Sequence, residues 1–143
     1  MNLDTIELLK ECNAGARMGI QSFDEVLEHT CDSHLREILL KSRQKHQDLA
    51  EQSEGMLREA CEKGKRPAPA AVAMSWIKTN AKLAMEQSDR TVANLITDGC
   101  NMGVTSLQRY LNQYIGAEHR AKVLAQKLIV VEEETAGELK EYL

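Results

Sequence analysis

An internal repeat relating the two halves of the chain is the strongest constraint on its fold. A shift of 84 residues gives five identities in the sixteen positions from Cys12 to Leu27, where about one would be expected by chance. The identical pairs are Gly15 with Gly99, Met18 with Met102, Gly19 with Gly103, Ser22 with Ser106, and Leu27 with Leu111. After the next connection the shift becomes 85, so that His34 corresponds to His119. The repeat indicates two copies of one structural unit.

Each copy has the pattern of two long helices. Apolar or small residues recur at steps of three and four, the spacing that lines one face of a helix. The chain has only eight glycines, two prolines and five aromatic residues, a composition that favours helices over strands. Long helices are predicted over residues 4–30, 33–63, 89–115 and 117–142, and a shorter one over 70–87. The predicted fold class is therefore all-α.

The connection between the copies determines the predicted topology. The first hairpin spans 4–63, the crossover 64–88 and the second hairpin 89–142, all within one domain over 1–143. A helix of 27 residues is about 40 Å long, and a crossover of this length can return along it. The third helix can then run parallel to the second. We expect an up-down-down-up four-helix bundle with a crossover helix.

This layout resembles the ferritin-like four-helix bundles. The G-x-x-M-G segments at Gly15 and Gly99, the Gly-Lys-Arg-Pro connection over 64–67 and the segment around Trp76 are similar to a group of uncharacterised bacterial ferritin-like proteins. The resemblance implies a bundle in which active members hold two metal ions. Their ligands are one Glu on each of two helices and a Glu-x-x-His motif on each of the other two.

The expected metal ligands have no matching positions in this chain. No Asp or Glu is followed by His three residues later, and the inward stripes of helices one and three carry glycine where a carboxylate would lie. We therefore predict no metal, no cofactor and no catalytic residue. The alternative is an atypical iron or manganese site built from Glu11, His46 and Glu132. In the simpler interpretation, His46 is a core histidine hydrogen-bonded to Ser or Thr, and the run 132–134 is a solvated helix face.

Two glycines on each inward stripe require an explanation, because a glycine inside a helix costs about 1 kcal/mol relative to alanine. Gly15 and Gly19 form G-x-x-x-G, as do Gly99 and Gly103. One explanation is that the first and third helices cross with their backbones in direct contact. The other is that the glycines leave room for a ligand in the bundle core. We expect the first.

Charge and cysteine content exclude several classes of partner. A net charge of −4 gives no electrostatic reason to bind nucleic acid or an anionic membrane. The N-terminus lacks the features of a secretory signal, and the four cysteines lack metal-site spacing, so a cytoplasmic protein with reduced thiols is expected. Cys31 lies in a predicted exposed turn, where oxidation could link two chains.

The sequence leaves three functions open. The first is a non-enzymatic structural or interaction protein with an unknown protein partner, forming a homo-oligomer and most simply a homodimer. The second is an atypical iron- or manganese-binding oxidoreductase. The third is a binder of small molecules in the bundle core.

Overall fold

A computed structural model describes residues 1–61 and 88–143. In these two segments the chain forms four α-helices and a short 3₁₀-helix, with no strand, as predicted for an all-α protein. The helices are α1 (Leu3–Leu27), α2 (Ser33–Cys61), α3 (Asp89–Gln113) and α4 (His119–Glu138), followed by the 3₁₀-helix Lys140–Tyr142. The predicted crossover helix over 70–87 lies outside the described residues. None of the described helices is both long and apolar enough to cross a membrane.

Side chains cap the N-termini of α1 and α3. Ser88 accepts a hydrogen bond of 3.1 Å from the amide of Thr91, and Asn2 accepts one of 2.8 Å from the amide of Thr5. Each bond satisfies an amide that has no partner within the first turn of its helix. The cap at Ser88 therefore begins α3 at the position that the sequence predicts.

The first predicted helix is three residues too long, because α1 ends at Leu27 and not at 30. The amides of His29 and Thr30 bond to carbonyls only three residues back, which tightens the chain into a turn. The last predicted helix is also too long. It consists of α4 and the separate 3₁₀-helix, so the regular α-helix is confined to His119–Glu138.

Hydrogen bonds between connections define which helix ends meet. At one end, the Asp89 carboxylate accepts from the amides of Cys31 at 2.9 Å and Asp32 at 3.1 Å. The hydroxyl of Tyr142 donates to Asp32 at 2.7 Å. At the other end, Asn2 donates to the carbonyl of Gly116 at 2.8 Å. The start of α3 thus lies beside the α1–α2 turn, and the start of α1 beside the α3–α4 turn.

Two apolar clusters form the core, separated by a layer of polar side chains. One cluster is built around residues such as Leu8, Leu9 and Leu128, and the other around Phe23 and Leu35. Along α2 and α4, the change from one cluster to the other coincides with buried polar residues. We call these residues the polar layer: Ser42, His46, Glu132 and Thr135.

Candidate functional site

A cavity of about 400 Å³ lies between α1 and α3, with His46, Leu128 and Glu132 contributed by the other two helices. Most of its walls come from the repeated segment. The repeat-related residues that line it are Gly15, Met18, Gly19 and Ser22 on α1, and Gly99, Met102, Gly103 and Ser106 on α3. Met102, one of these wall residues, is 41% exposed. Four of the five identities between the two copies are thus wall residues of one cavity.

The glycines do not bring two helix backbones into contact. A Cβ added to Gly15 or Gly99 would meet no atom of residues 1–61 and 88–143 within 4 Å, leaving aside the chain neighbours and the helix's own backbone. At Gly19 and Gly103 the nearest atoms are side chains of α2 and α4. The expectation that α1 and α3 pack directly through these glycines is therefore wrong. Among the described residues, Gly15 and Gly99 instead face open space, whereas Gly19 and Gly103 accommodate neighbouring side chains.

The buried polar centre of the site is a pair formed by His46 and Glu132. Nε2 of His46 hydrogen-bonds to Oε1 of Glu132 across the α2–α4 contact. His46 is 1% exposed and Glu132 is 8% exposed, so both are removed from bulk solvent. Burial of a charged group is tolerated when an opposite charge or hydrogen bonds compensate it. Here each residue supplies that compensation for the other.

Hydrogen bonds fix the orientation of the imidazole. Nδ1 of His46 donates to the carbonyl of Ser42 at 2.7 Å, which leaves Nε2 directed at Glu132. The Thr135 hydroxyl donates to the carbonyl of Val131 at 2.7 Å, so the Ser42 hydroxyl donates to Thr135, also at 2.7 Å. The ring of Phe23 packs edge-on against the imidazole, with centroids 5.1 Å apart. The polar layer is therefore internally hydrogen-bonded rather than merely buried.

The pKa of His46 is raised above its ordinary value. Burial is the largest single influence and lowers it, but the hydrogen bond and charge of Glu132, together with the bond to the Ser42 carbonyl, outweigh burial. A carbonyl is only an acceptor, so Nδ1 must carry a proton. A second proton on Nε2 gives an imidazolium facing a carboxylate. The raised pKa of His46 favours this doubly protonated, ion-paired form.

One glycine of each copy makes room for one member of this pair. A Cβ at Gly19 would come 2.6 Å from Cδ2 of His46, and a Cβ at Gly103 would come 2.5 Å from Oε2 of Glu132. Such distances are far below ordinary van der Waals contact. The repeat therefore supplies both pockets, one for a basic side chain and one for an acidic side chain.

Further carboxylates line the cavity away from the central pair. The pKa of Tyr110, another lining residue, is raised first by burial and then by the charge and hydrogen bond of Glu11. Glu25 also lines the cavity, and its Oε2 is a buried oxygen without a hydrogen-bond partner in the part of the chain that the structure describes. Lysine and arginine do not occur among the lining residues that the structure describes. Outside the His46–Glu132 pair, the cavity is thus apolar over most of its wall and acidic where it is charged.

The alternative metal site combined Glu11, His46 and Glu132. The structure brings His46 and Glu132 into direct contact, and all three residues line the same cavity. Within residues 1–61 and 88–143, however, no three His, Cys, Asp or Glu side chains are grouped so that they could hold a metal ion. The simpler interpretation of His46 was right about a hydrogen-bonded core residue, but its partners are a serine carbonyl and a carboxylate.

The solvated-face prediction for the run 132–134 is wrong for its first residue. Glu133 and Glu134 are exposed, whereas Glu132 is buried. The signal was present in the spacing, since Glu132 follows Leu128 by four residues and precedes Thr135 by three. A residue between two inward positions at that spacing shares their face. His34 and His119, the repeat partners near the starts of α2 and α4, are exposed.

The cysteines with described side chains divide into exposed and buried. Cys31 is exposed, as its position in a turn predicts, whereas Cys12 and Cys100 are buried. Burial, followed by the charge of Glu11, raises the pKa of Cys12 to about 12. Burial and the charge of Glu132 also raise the pKa of Cys100. Since the thiolate is the reactive form, Cys100 has the chemistry of an unreactive wall residue of the cavity.

Comparison with known proteins bears on the fold alone. No family model matches the chain, and no curated protein matches its sequence. The structure is similar to the crystal structure of a DUF305 fragment from Deinococcus radiodurans, with a TM-score of 0.74 over 98% of this chain and 95% of that chain. The two sequences are 15% identical. This likeness supports a shared helical fold.

Proposed function

We propose that the protein is a ferritin-like bundle that binds a small, largely apolar molecule in the cavity between α1 and α3. Of the three functions left open by the sequence, small-molecule binding is the one that this geometry favours. The observation that carries it is a cavity of about 400 Å³ with mostly apolar walls. Small-molecule sites typically measure about 300 to 1,000 Å³ and combine apolar walls with a few fixed polar groups.

The ferritin-like, up-down-down-up arrangement is part of this proposal. It is supported by the contacts between helix ends, in which α3 starts beside the α1–α2 turn and α1 starts beside the α3–α4 turn. The similarity in fold to the Deinococcus fragment is consistent with it. In such a bundle α1 and α3 are neighbours that run in opposite directions, so their repeated faces meet across the cavity.

The glycines supply a second argument for a ligand. Gly15 and Gly99 have open space where a side chain would point, and each costs about 1 kcal/mol of helix stability relative to alanine. Packing within the described residues does not explain them, because no atom of those residues occupies the space. A bound molecule would explain both positions.

Calorimetric titration with 4-phenylbutan-1-ol, a neutral amphiphile, tests the proposal. Gly15→Leu and Gly99→Leu place side chains in the cavity, and Gly137→Leu is a matched control on an exposed stretch of α4. Circular dichroism and urea unfolding establish that each variant is folded. We expect saturable binding by the unmodified protein and by Gly137→Leu, with at least a tenfold loss of affinity in each cavity variant. Absence of saturable binding, or equal affinity in all four proteins, would overturn the proposal.

A further inference from the structure

We infer that the molecule bound in this cavity is an organic cation, with a protonated amine as its polar group and an apolar body. This inference rests on the proposed function and specifies the ligand chemistry of the same site. It is carried by the distribution of charged side chains around the cavity. The relevant residues are Glu11, Glu25, Glu132 and His46.

The charged side chains of the cavity wall give it a net negative charge. Three carboxylates and one imidazole line the cavity, and the described wall contains neither lysine nor arginine. His46 compensates Glu132 through their hydrogen bond. The carboxylates of Glu11 and Glu25 therefore remain, giving the wall a formal charge of about −2 in a region where low polarity strengthens electrostatic interactions. A cation is attracted to such a wall and an anion is repelled.

The two remaining carboxylates differ in how well they are partnered. Glu11 hydrogen-bonds to the Tyr110 hydroxyl and raises its pKa. The positive charge of the exposed Arg109 lowers that pKa. Oε2 of Glu25, in contrast, is buried and has no hydrogen-bond partner among the described residues. A buried polar atom without a partner typically costs about 1 to 3 kcal/mol. Because the Glu25 side chain lines the cavity, a ligand ammonium group bound there would place a positive charge beside this carboxylate.

The position of Glu25 also suits an elongated ligand. Glu25 lies six residues beyond Gly19 on α1, a separation of about 9 Å along a helix. The wall between them includes Ser22 and Phe23, and the glycine faces of α1 and α3 continue beyond Gly19. An amine bound at Glu25 can thus extend its apolar body along the glycines toward the centre of the cavity.

Three probes of nearly equal size and shape test the sign of the charge. The cation at pH 7 is 4-phenylbutylamine, the neutral probe is 4-phenylbutan-1-ol, and the anion is 4-phenylbutyrate. We expect calorimetry to give at least tenfold tighter binding for the amine than for the alcohol, and weakest binding for the acid. Glu25→Gln should remove most of the preference for the amine while changing the affinity for the alcohol less than about twofold. Glu11→Gln, the matched variant elsewhere on the wall, should reduce the preference less.

The outcomes separate the charge inference from the proposed function. Binding of the alcohol as tight as that of the amine, or an amine preference unchanged by Glu25→Gln, would overturn the inference and leave small-molecule binding intact. If none of the three probes binds the unmodified protein, both proposals fail. If the amine binds equally well to Gly15→Leu and Gly99→Leu, its site lies outside the cavity, and both proposals again fail.

Discussion

The two hairpins present the same glycine to the middle of the bundle but pack opposite charges against it. In the first hairpin, Gly19 on α1 accommodates His46 on α2. In the second, Gly103 on α3 accommodates Glu132 on α4. The two glycines correspond at the shift of 84 residues. At the later shift of 85, His46 corresponds to the residue just before Glu132, so these two side chains are one position away from being repeat partners.

This difference shows how a repeated unit has become two specialised halves. Either hairpin alone would bury one ionisable side chain without a partner, which is costly. Together they bury a hydrogen-bonded pair of opposite charge between the two apolar clusters. The glycines common to both hairpins line the shared cavity. His46 and Glu132, which differ between the hairpins, form the hydrogen bond that joins them. The following substitutions test this division, beginning with the largest expected effect.

Removing one member of the pair should have the largest effect. Glu132→Leu leaves a buried imidazole without its carboxylate, and breaking a buried ion pair typically costs about 3 to 5 kcal/mol. We expect a loss of this size in the free energy of unfolding in urea at pH 6. Glu133→Leu, at the exposed neighbouring position, should change it by less than about 0.5 kcal/mol.

The double variant His46→Leu/Glu132→Leu sharpens that test. With both ionisable groups replaced by apolar ones, no unpaired charge remains buried, so the double variant should be more stable than Glu132→Leu alone. Additive losses from the two single substitutions would mean that the residues do not act as a pair, and would contradict the comparison between the hairpins.

Alanine substitutions should distinguish the glycines that face open space from those that accommodate a neighbouring side chain. At Gly15 the added methyl meets open space, so Gly15→Ala should stabilise the fold by about 1 kcal/mol through helix propensity. At Gly19 the methyl meets the buried His46 ring, and overpacking of this kind costs about 1 to 3 kcal/mol.

The second copy provides the internal control for these alanine variants. Gly99→Ala should behave like Gly15→Ala, since at neither position would the added methyl meet an atom of the described residues within 4 Å. Gly103→Ala should cost less than Gly19→Ala, because the methyl meets the end of a carboxylate chain, which moves more easily than a ring. Urea unfolding measures the stability of all four variants. Equal effects of alanine at Gly15 and Gly19 would refute the distinction between a glycine that faces open space and one that accommodates a side chain.

The last test concerns the pH dependence of stability. Because the pKa of His46 is raised in the folded protein, the fold binds a proton more tightly than the unfolded chain does. The resulting stability is fully present below the ordinary histidine pKa of about 6.5 and is lost as the pH rises through the folded pKa. Unfolding free energies between pH 6 and 8 should fall by up to about 1.4 kcal/mol per pH unit for this one group. His46→Leu should show a flatter profile, and an equal slope in both proteins would exclude His46 as the cause.

The helices could largely be predicted from sequence, because residue spacing and caps act locally. The cap at Ser88 and the steps of three and four determine where α3 begins and which side of it faces inward. The end of α1 was harder to predict. Residues 28–30 continue a helix-compatible sequence, but the tight connection to α2 closes them into a turn.

The site was only partly predictable, because it depends on contacts between residues that are distant in the chain. His46 could be recognised as an ionisable residue on an apolar stripe, yet its pairing with Glu132 spans 86 residues. Glu132 was obscured by the two exposed glutamates that follow it. The glycine pattern indicated that something unusual occurs at α1 and α3, but the spacing of glycines is the same for a close helix crossing and for a cavity.

Methionine methyl NMR tests most directly whether the repeated glycine faces form a ligand site. Met18 and Met102 line the cavity, whereas Met1 and Met56 pack on the apolar cluster around Leu8. In protein labelled at the methionine methyl groups and assigned with Met→Leu variants, saturating 4-phenylbutylamine should shift the Met18 and Met102 resonances and leave those of Met1 and Met56 in place. Unmoved Met18 and Met102 resonances at saturation would contradict the account.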